Sequence, residues 1–282
     1  MSQSQIDFSS SAGNELRHAA LVCISVCDAM KKAADVSAMG EAWQAGQLFL
    51  DRDAQLKPLE PIPGRPAKPE LISPKMLKHR SMATLEGRAA MIHALTHIEF
   101  NAINLALDAI WRFSAMPHDY YRDWLQVAVE EARHFSLLAA HLHTLGYQYG
   151  DFAAHDSLWE MCDKTAGDCL ARMALVPRTL EARGLDASPC MRGKLEQAGD
   201  SAAAAILDLI LREEIGHVAI GNRWYNYLCQ RQQLDPLHTY AQLLQRHKAP
   251  VLHGPFNMEA RRAAGFSERE LQILAAKIVG AH

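Results

Sequence analysis

Aromatic residues are scarce in this 282-residue chain, at 7%, while hydrophobic residues reach 49% and Ala, Leu and Met dominate them. That balance favours helices over sheets. No run of alternating β-branched residues occurs. The six cysteines (Cys23, Cys27, Cys162, Cys169, Cys190, Cys229) form no C-x-x-C pair, and their spacing fits neither a zinc site nor a disulfide framework. Reduced, buried thiols are expected. No surplus of one charge exists, the formal net charge being -3, so neither DNA nor an anionic membrane surface is an expected partner, and mild acidity argues against RNA. No apolar run reaches the ~18 residues that span a bilayer. The start, MSQSQIDFSSSAGNELRH, lacks a basic stretch leading into an apolar one. A soluble, cytoplasmic protein is the expectation. Gly-rich nucleotide loops and a G-x-S-x-G elbow are also missing.

What is present is helical periodicity with clear punctuation. Residues 14–50 read as two helices, with Asn14 capping the first. Residues 57–74, KPLEPIPGRPAKPELISP, hold six of the twelve prolines and should run extended over the surface, with Leu59, Ile62, Leu71 and Ile72 packing beneath. A long helix is predicted from about Met82 to Ala115, and a second from Asp119 to Gly146. The third helical region should start after Asp156 and end at Arg183-Gly184, with a short helix from Ser188. Asp200 caps a fourth long helix reaching Gln232, and shorter helices come after it at 235–248 and 267–279, the last opened by a Ser267/Glu270 capping box. The organisation read from this is an N-terminal helical segment 1–56, a proline-rich segment 57–80, a bundle 81–232 and C-terminal helices 233–282 that pack on the bundle.

Two motifs carry chemistry. Glu130-Glu131-Ala-Arg-His134 lies in the second long helix and Glu213-Glu214-Ile-Gly-His217 in the fourth. Positions i and i+3 of a helix project one turn apart on one face, so Glu131 with His134, and Glu214 with His217, can each chelate one metal ion. A lone carboxylate precedes each pair at similar spacing, Glu99 in the first helix and Glu181 in the third, as a bundle-core di-metal site requires. One Glu-x-x-His is expected by chance, and Glu15-Leu-Arg-His18 is read as such an accident. The double-Glu form has a chance expectation of only about 0.05. Val127, Ala128, Phe135, Leu138, Ile210 and Val218 surround the motifs with apolar residues; buried carboxylates lacking partners would cost several kcal/mol. Carboxylate oxygen with imidazole nitrogen suits iron or manganese. Glu130 and Glu213 are expected to accept hydrogen bonds from the metal-bound histidines.

These residues resemble the ferritin-like di-iron carboxylate superfamily. More narrowly, the chain is similar to a bacterial family of ferritin-like proteins of unknown function, through PGRPAKPELISP, HIEFNAINLALDAIWRF, DWLQVAVEEARHF, VPRTLEARGLD and REEIGHVAIGNRWY. The resemblance implies an all-α ferritin-like four-helix bundle with additional N-terminal and C-terminal helices. It also implies metal ligands at Glu99, Glu131, His134, Glu181, Glu214 and His217, and a pair of iron ions or iron plus manganese. In a simple hairpin of that superfamily Glu181 would sit well inside its helix, whereas here Gly184 comes soon after it; Glu160 is the alternative carboxylate. The function expected is oxygen-activating oxidation of a small molecule with O₂ or peroxide, or else iron oxidation, buffering or delivery without an organic substrate. The tRNA-hydroxylating di-iron enzymes share the ligand scheme. A homodimer is compatible with the sequence.

His93 and His97, four apart on the first helix, are read as surface or core histidines. Arg178 and Arg183 bracket Glu181 and could pair with carboxylates, an ordinary surface role being favoured; Tyr120, Tyr121, Trp124, Trp224, Tyr225 and Tyr227 are read as packing in preference to an electron relay.

Overall fold

The computed structural model describes residues 14–58 and 60–279. The reading of the N-terminus and the packing expected of Leu59 lie outside the described residues. Among the described residues all regular structure is helical. The chain divides into two compact units, residues 1–159 and 160–282.

The first unit contains α1 (Leu16–Ser25), α2 (Ala29–Gln44), α3 (Leu85–Arg112) and α4 (His118–Thr144). Helices α3 and α4 form a long hairpin, α1 lies on α3, α2 lies on α4, and α1 meets α2. The two N-terminal helices, expected as additions to a bundle, thus complete a four-helix packing with the α3–α4 hairpin. The cap of α1 is Glu15, not Asn14: its carboxylate accepts from the N–H groups of Arg17 (3.0 Å) and His18 (2.6 Å). The accidental Glu15-x-x-His18 match therefore has a structural use. Thr84 caps α3 through Gly87 N–H at 3.0 Å. Gly146, with φ +81°, takes the left-handed position after α4. Met116-Pro117 breaks the chain between α3 and α4, and Tyr121 steadies the corner by donating to Phe113 O at 2.8 Å. Tyr120 donates to Ala109 O, so both tyrosines pack as expected.

The proline-rich segment forms no helix before Pro74; Ile62 and Ile72 are half-buried, and main-chain bonds fasten it as well. Gly64 N–H donates to Ile24 O at 2.8 Å. The buried Lys32 ammonium reaches Ile24 O (3.0 Å), Gly64 O (2.8 Å) and Asn104 Oδ1 (2.5 Å). Further on, Ile72 N–H bonds to Ala154 O and Ala154 N–H to Glu70 O, while Leu71 is exposed.

His93 and His97 are core residues that latch the loop after α4. His93 Nε2 accepts from Gly150 N–H at 2.9 Å. His97 Nδ1 accepts from the Tyr149 hydroxyl at 2.8 Å, and its Nε2–H donates to His155 O at 3.0 Å. Burial pushes both imidazoles down to about 4. Between that value and the ordinary ~6.5 of an exposed histidine, the unfolded chain binds protons that the folded chain refuses. Their contribution is therefore complete above pH 6.5 and is lost as pH falls towards 4. Thermal melts of metal-free wild type and His93→Asn at pH 7 and pH 5 check this. The wild type should lose more melting temperature on acidification than the variant does.

The second unit holds α6 (Cys169–Leu175), a six-residue π-helical turn (Val176–Glu181), α7 (Ala182–Gln197), α8 (Ser201–Arg231), α9 (Pro236–Arg246), α10 (Met258–Ala263) and α11 (Glu268–Val279). Helix α5 (Ser157–Lys164) precedes α6 at the junction of the two units. The third helix does not stop at Arg183-Gly184: α7 passes through Gly184 and through Pro189. Proline cannot donate to the carbonyl four residues back. The carbonyl it frees, on Leu185, accepts instead from the Asn257 side-chain amide at 3.2 Å, so tertiary structure supplies the bond that the helix loses.

Arg178 is not a surface residue. It is buried, donates to Asn222 Oδ1 at 2.6 Å and pairs with Glu270. Its guanidinium stands 4.8–4.9 Å from the ring centroids of Tyr225, Tyr240 and Phe266. Arg261, buried as well, pairs with Asp186 at 2.6 Å. These two arginines tie α10 and α11 to the π-turn and α7, and Arg183 alone of the expected pair lies on the surface. The Ser267/Glu270 capping box forms as read, with Ser267 N–H to Glu270 Oε2 at 2.7 Å. The cysteines are all free, but Cys27 and Cys190 are exposed rather than buried. Burial pushes the Cys23 thiol up to about 12, which leaves it inert at neutral pH.

Candidate metal centre

Each unit carries one Glu-x-x-His pair on an unbroken stretch of helix, and each keeps it out of solvent. In the first unit Glu131 and His134 have no exposed surface, and Glu99 retains 4%. His134 Nδ1 stands 3.2 Å from Glu131 Oε2, one turn back on α4, and 3.2 Å from Glu99 Oε2 on α3. The three side chains offer ligand atoms that all lie within 4.8 Å of one another. Helix periodicity places the first pair, and the packing of α3 on α4 brings in Glu99. Phe100 and Phe135, the neighbours of Glu99 and His134 along the chain, have ring centroids 5.9 Å apart, and Tyr149 packs on both.

The electrostatics of this cluster call for positive charge. Burial raises the Glu99 carboxyl well above the usual range, the Glu131 carboxylate raises it further, and His134 draws it back. Burial disfavours the His134 imidazolium, yet the two carboxylates overcome that and push it up to about 11. Without a metal, then, His134 carries a proton between two carboxylates. The donor set, two hard oxygens and one borderline nitrogen in a dry setting, fits a divalent cation that takes the proton's place.

In the second unit Glu214 and His217 are both buried on α8, with Oε1 3.6 Å from Nδ1. Glu181 ends the π-turn and is half-buried; Glu160, on α5, is exposed. The π-turn is where Pro177 enters the helix, and its local widening re-aims the residues after it. Gly221, one turn after His217, permits this fit. A Cβ there would meet Pro177 Cβ at 2.4 Å and Cγ at 2.6 Å. Gly221→Ala should therefore force the π-turn away from α8. A loss of about 1–3 kcal/mol is expected, read by urea denaturation, whereas Gly216→Ala, with nothing within 4 Å, should not destabilise the helix.

Glu130 and Glu213 are half-buried, and Glu130 accepts from Gln126 on its own helix at 3.0 Å. Neither Tyr149 nor the π-turn was singled out by the sequence pattern. Tyr149 lies in a loop without periodicity, and for the turn the one available signal was Pro177 inside an otherwise helical stretch.

Among the described residues no helix is long and apolar enough to cross a membrane. No solved structure matches the chain. A protein of Haemophilus influenzae (strain ATCC 51907 / DSM 11121 / KW20 / Rd), described as uncharacterized, is 51% identical over 224 residues, covering 77% of this chain and 78% of that one. The family described as "Protein of unknown function (DUF455)" matches residues 25–272, which takes in both Glu-x-x-His pairs and both upstream glutamates, and the chain belongs to that family.

Proposed function

We propose that this protein is a di-metal oxidoreductase of the ferritin-like kind. In this reading the ligands expected from the sequence, Glu99, Glu131, His134, Glu181, Glu214 and His217, hold two iron ions, or iron with manganese. The observation that carries it is the buried cluster of Glu99, Glu131 and His134, within 4.8 Å. The half-burial of Glu181 against the exposure of Glu160 supports Glu181 as the fourth carboxylate. Three donors leave a first-row cation short of its usual coordination, and the repeated pattern of the second unit offers three more of the same chemistry.

When bound, a pair of such ions would supply the redox chemistry by which O₂ or peroxide oxidises a small organic molecule. The chain's own residues prepare the place. Glu99 and Glu131 provide negative charge that the interior would otherwise disfavour. His134 gives up its proton as a cation enters. Phe100, Phe135 and Leu138 are buried near it on α3 and α4 and keep water away.

Anaerobic addition of ferrous ion at pH 7 should release at least one proton per ion bound at the first unit's cluster, since His134 holds a proton there beforehand and burial favours protonation of Glu99 as well. A pH indicator in weak buffer measures this, and uptake of iron with no proton release would contradict the assignment of His134. Iron analysis and oxygen uptake on admitting air test the reading as a whole. Release of a hydroxylated or desaturated product supports the oxidoreductase. Stoichiometric iron oxidation without an organic product would replace it with iron oxidation, buffering or delivery.

A further inference from the structure

A cavity lies in the first unit, away from the metal ligands. Its setting is the proline-rich segment and the stretch leading from it into α3. Residues 65–88 carry six lysines and arginines against two glutamates, in a chain whose net charge is -3. Arg65 pairs with Asp156 at 2.8 Å and Arg80 with Glu86 at 2.9 Å. Lys75 and Lys78 are exposed and have no acidic partner among the described residues.

Between this segment, α3 and the 152–155 loop is a cavity of about 400 Å³. Its floor is one face of α3. Ala90, Ala94 and Ile98 recur at i, i+4 and i+8, and the two alanines leave room above them. Ile72, Leu77 and Phe152 form apolar walls, Lys78 and Arg80 stand at the basic edge, and Glu70 is the one acidic side chain in the lining. The Arg80 guanidinium lies over the Phe152 ring at 4.9 Å. Glu99 projects roughly 140° around α3 from Ala94, so the cavity does not open on the candidate metal centre.

We infer that this cavity binds an organic anion with an apolar body, a medium-chain carboxylate. The volume equals roughly thirteen waters at about 30 Å³ each, room for a chain of about eight to ten carbons. It falls within the ~300–1,000 Å³ of ordinary ligand pockets, and the mixture of apolar walls with a few charged groups is theirs as well. The walls take the chain out of water. Lys78 and the basic surplus around it select the sign of the head group, and because these cations are exposed the selection weakens with salt.

Isothermal titration of the full chain with decanoate, at low salt and pH 7, tests the proposal, with decanol as the neutral counterpart. Saturable one-site binding of decanoate is expected, with methyl NMR shifts confined to Ile72, Met76, Leu77 and Ile98. Ala94→Trp, at an exposed position on the cavity floor, should weaken it at least ten-fold; Ala90→Phe serves as the second filling variant if the first does not fold. Lys78→Glu should weaken decanoate about three- to five-fold and leave decanol unchanged. The proposal is overturned if decanoate does not saturate, if neither filling variant weakens it, or if decanol binds equally well. Sedimentation with anionic phosphatidylglycerol vesicles in the absence of decanoate binding would overturn it too, making the basic segment a membrane-facing surface instead.

Discussion

Glu131→Gln should yield a protein that melts higher than wild type without metal and gains nothing from ferrous ion. In the metal-free chain two carboxylates share one imidazolium out of solvent, at 3.2 Å each. The substituted amide keeps the volume and a carbonyl that can accept from His134, but removes the buried Glu131 charge that holds the Glu99 carboxyl up. Relieving a buried charge without opening a hole is worth about 1 kcal/mol or more. With ferrous ion the order reverses. A cation at a hundred times its dissociation constant stabilises the wild type by about 2.7 kcal/mol, and the variant, short of one charged donor, should gain less than about 0.5 kcal/mol over the same range. Anaerobic thermal melts with and without ferrous ion measure both signs at once. An equal rise in melting temperature for the two proteins would show that ferrous ion binds somewhere other than this cluster.

Gly64→Ala should cost about 3 kcal/mol or more. A Cβ on residue 64 would lie 2.1 Å from Ser25 O, 2.5 Å from Ser25 C and 2.7 Å from Val26 O. All three are main-chain atoms, and no rotamer can move them aside. The strap must lift, which breaks the Gly64 N–H bond to Ile24 O and takes from the Lys32 ammonium one of its three oxygens. A buried ammonium losing a partner accounts for much of the cost. Gly167→Ala, where nothing lies within 4 Å, is the control and should stay within about 0.5 kcal/mol of wild type. Urea denaturation gives the free energies, and limited proteolysis between residues 57 and 74 reports the lifting directly. A Gly64→Ala protein as stable as the control would mean that the strap is not seated on α1.

Much of the helical layout was legible because the punctuation is local. Asp200 and the Ser267/Glu270 box cap helices through bonds to N–H groups three residues away, and such bonds are written in the order of the residues. The errors came where a distant partner overrides a local rule. Gly184 and Pro189 read as a stop, yet α7 continues because Asn257, 72 residues beyond Leu185, takes the freed carbonyl. Arg178 read as a surface cation, yet α9, the 225 region of α8 and the start of α11 supply rings and a carboxylate that make its burial tolerable. The proline-rich segment, or strap, is also fastened by Gly64 and Lys32, through main-chain and ammonium bonds that no hydrophobic pattern announces.

For the candidate site the division runs the same way. The sequence alone determined that Glu131 and His134, and Glu214 and His217, each share a helix face, because a turn of helix fixes what three residues' separation means. It also determined that Glu99 and Glu181 stand at matching distances upstream. Only the tertiary structure decided that Glu99 reaches His134, because α3 and α4 must pack in one particular register to bring an oxygen and a nitrogen 35 residues apart to 3.2 Å. It alone decided that the cluster is dry, since burial depends on every neighbour at once, and dryness is what makes two carboxylates and an imidazole a place for a cation rather than a patch of charge.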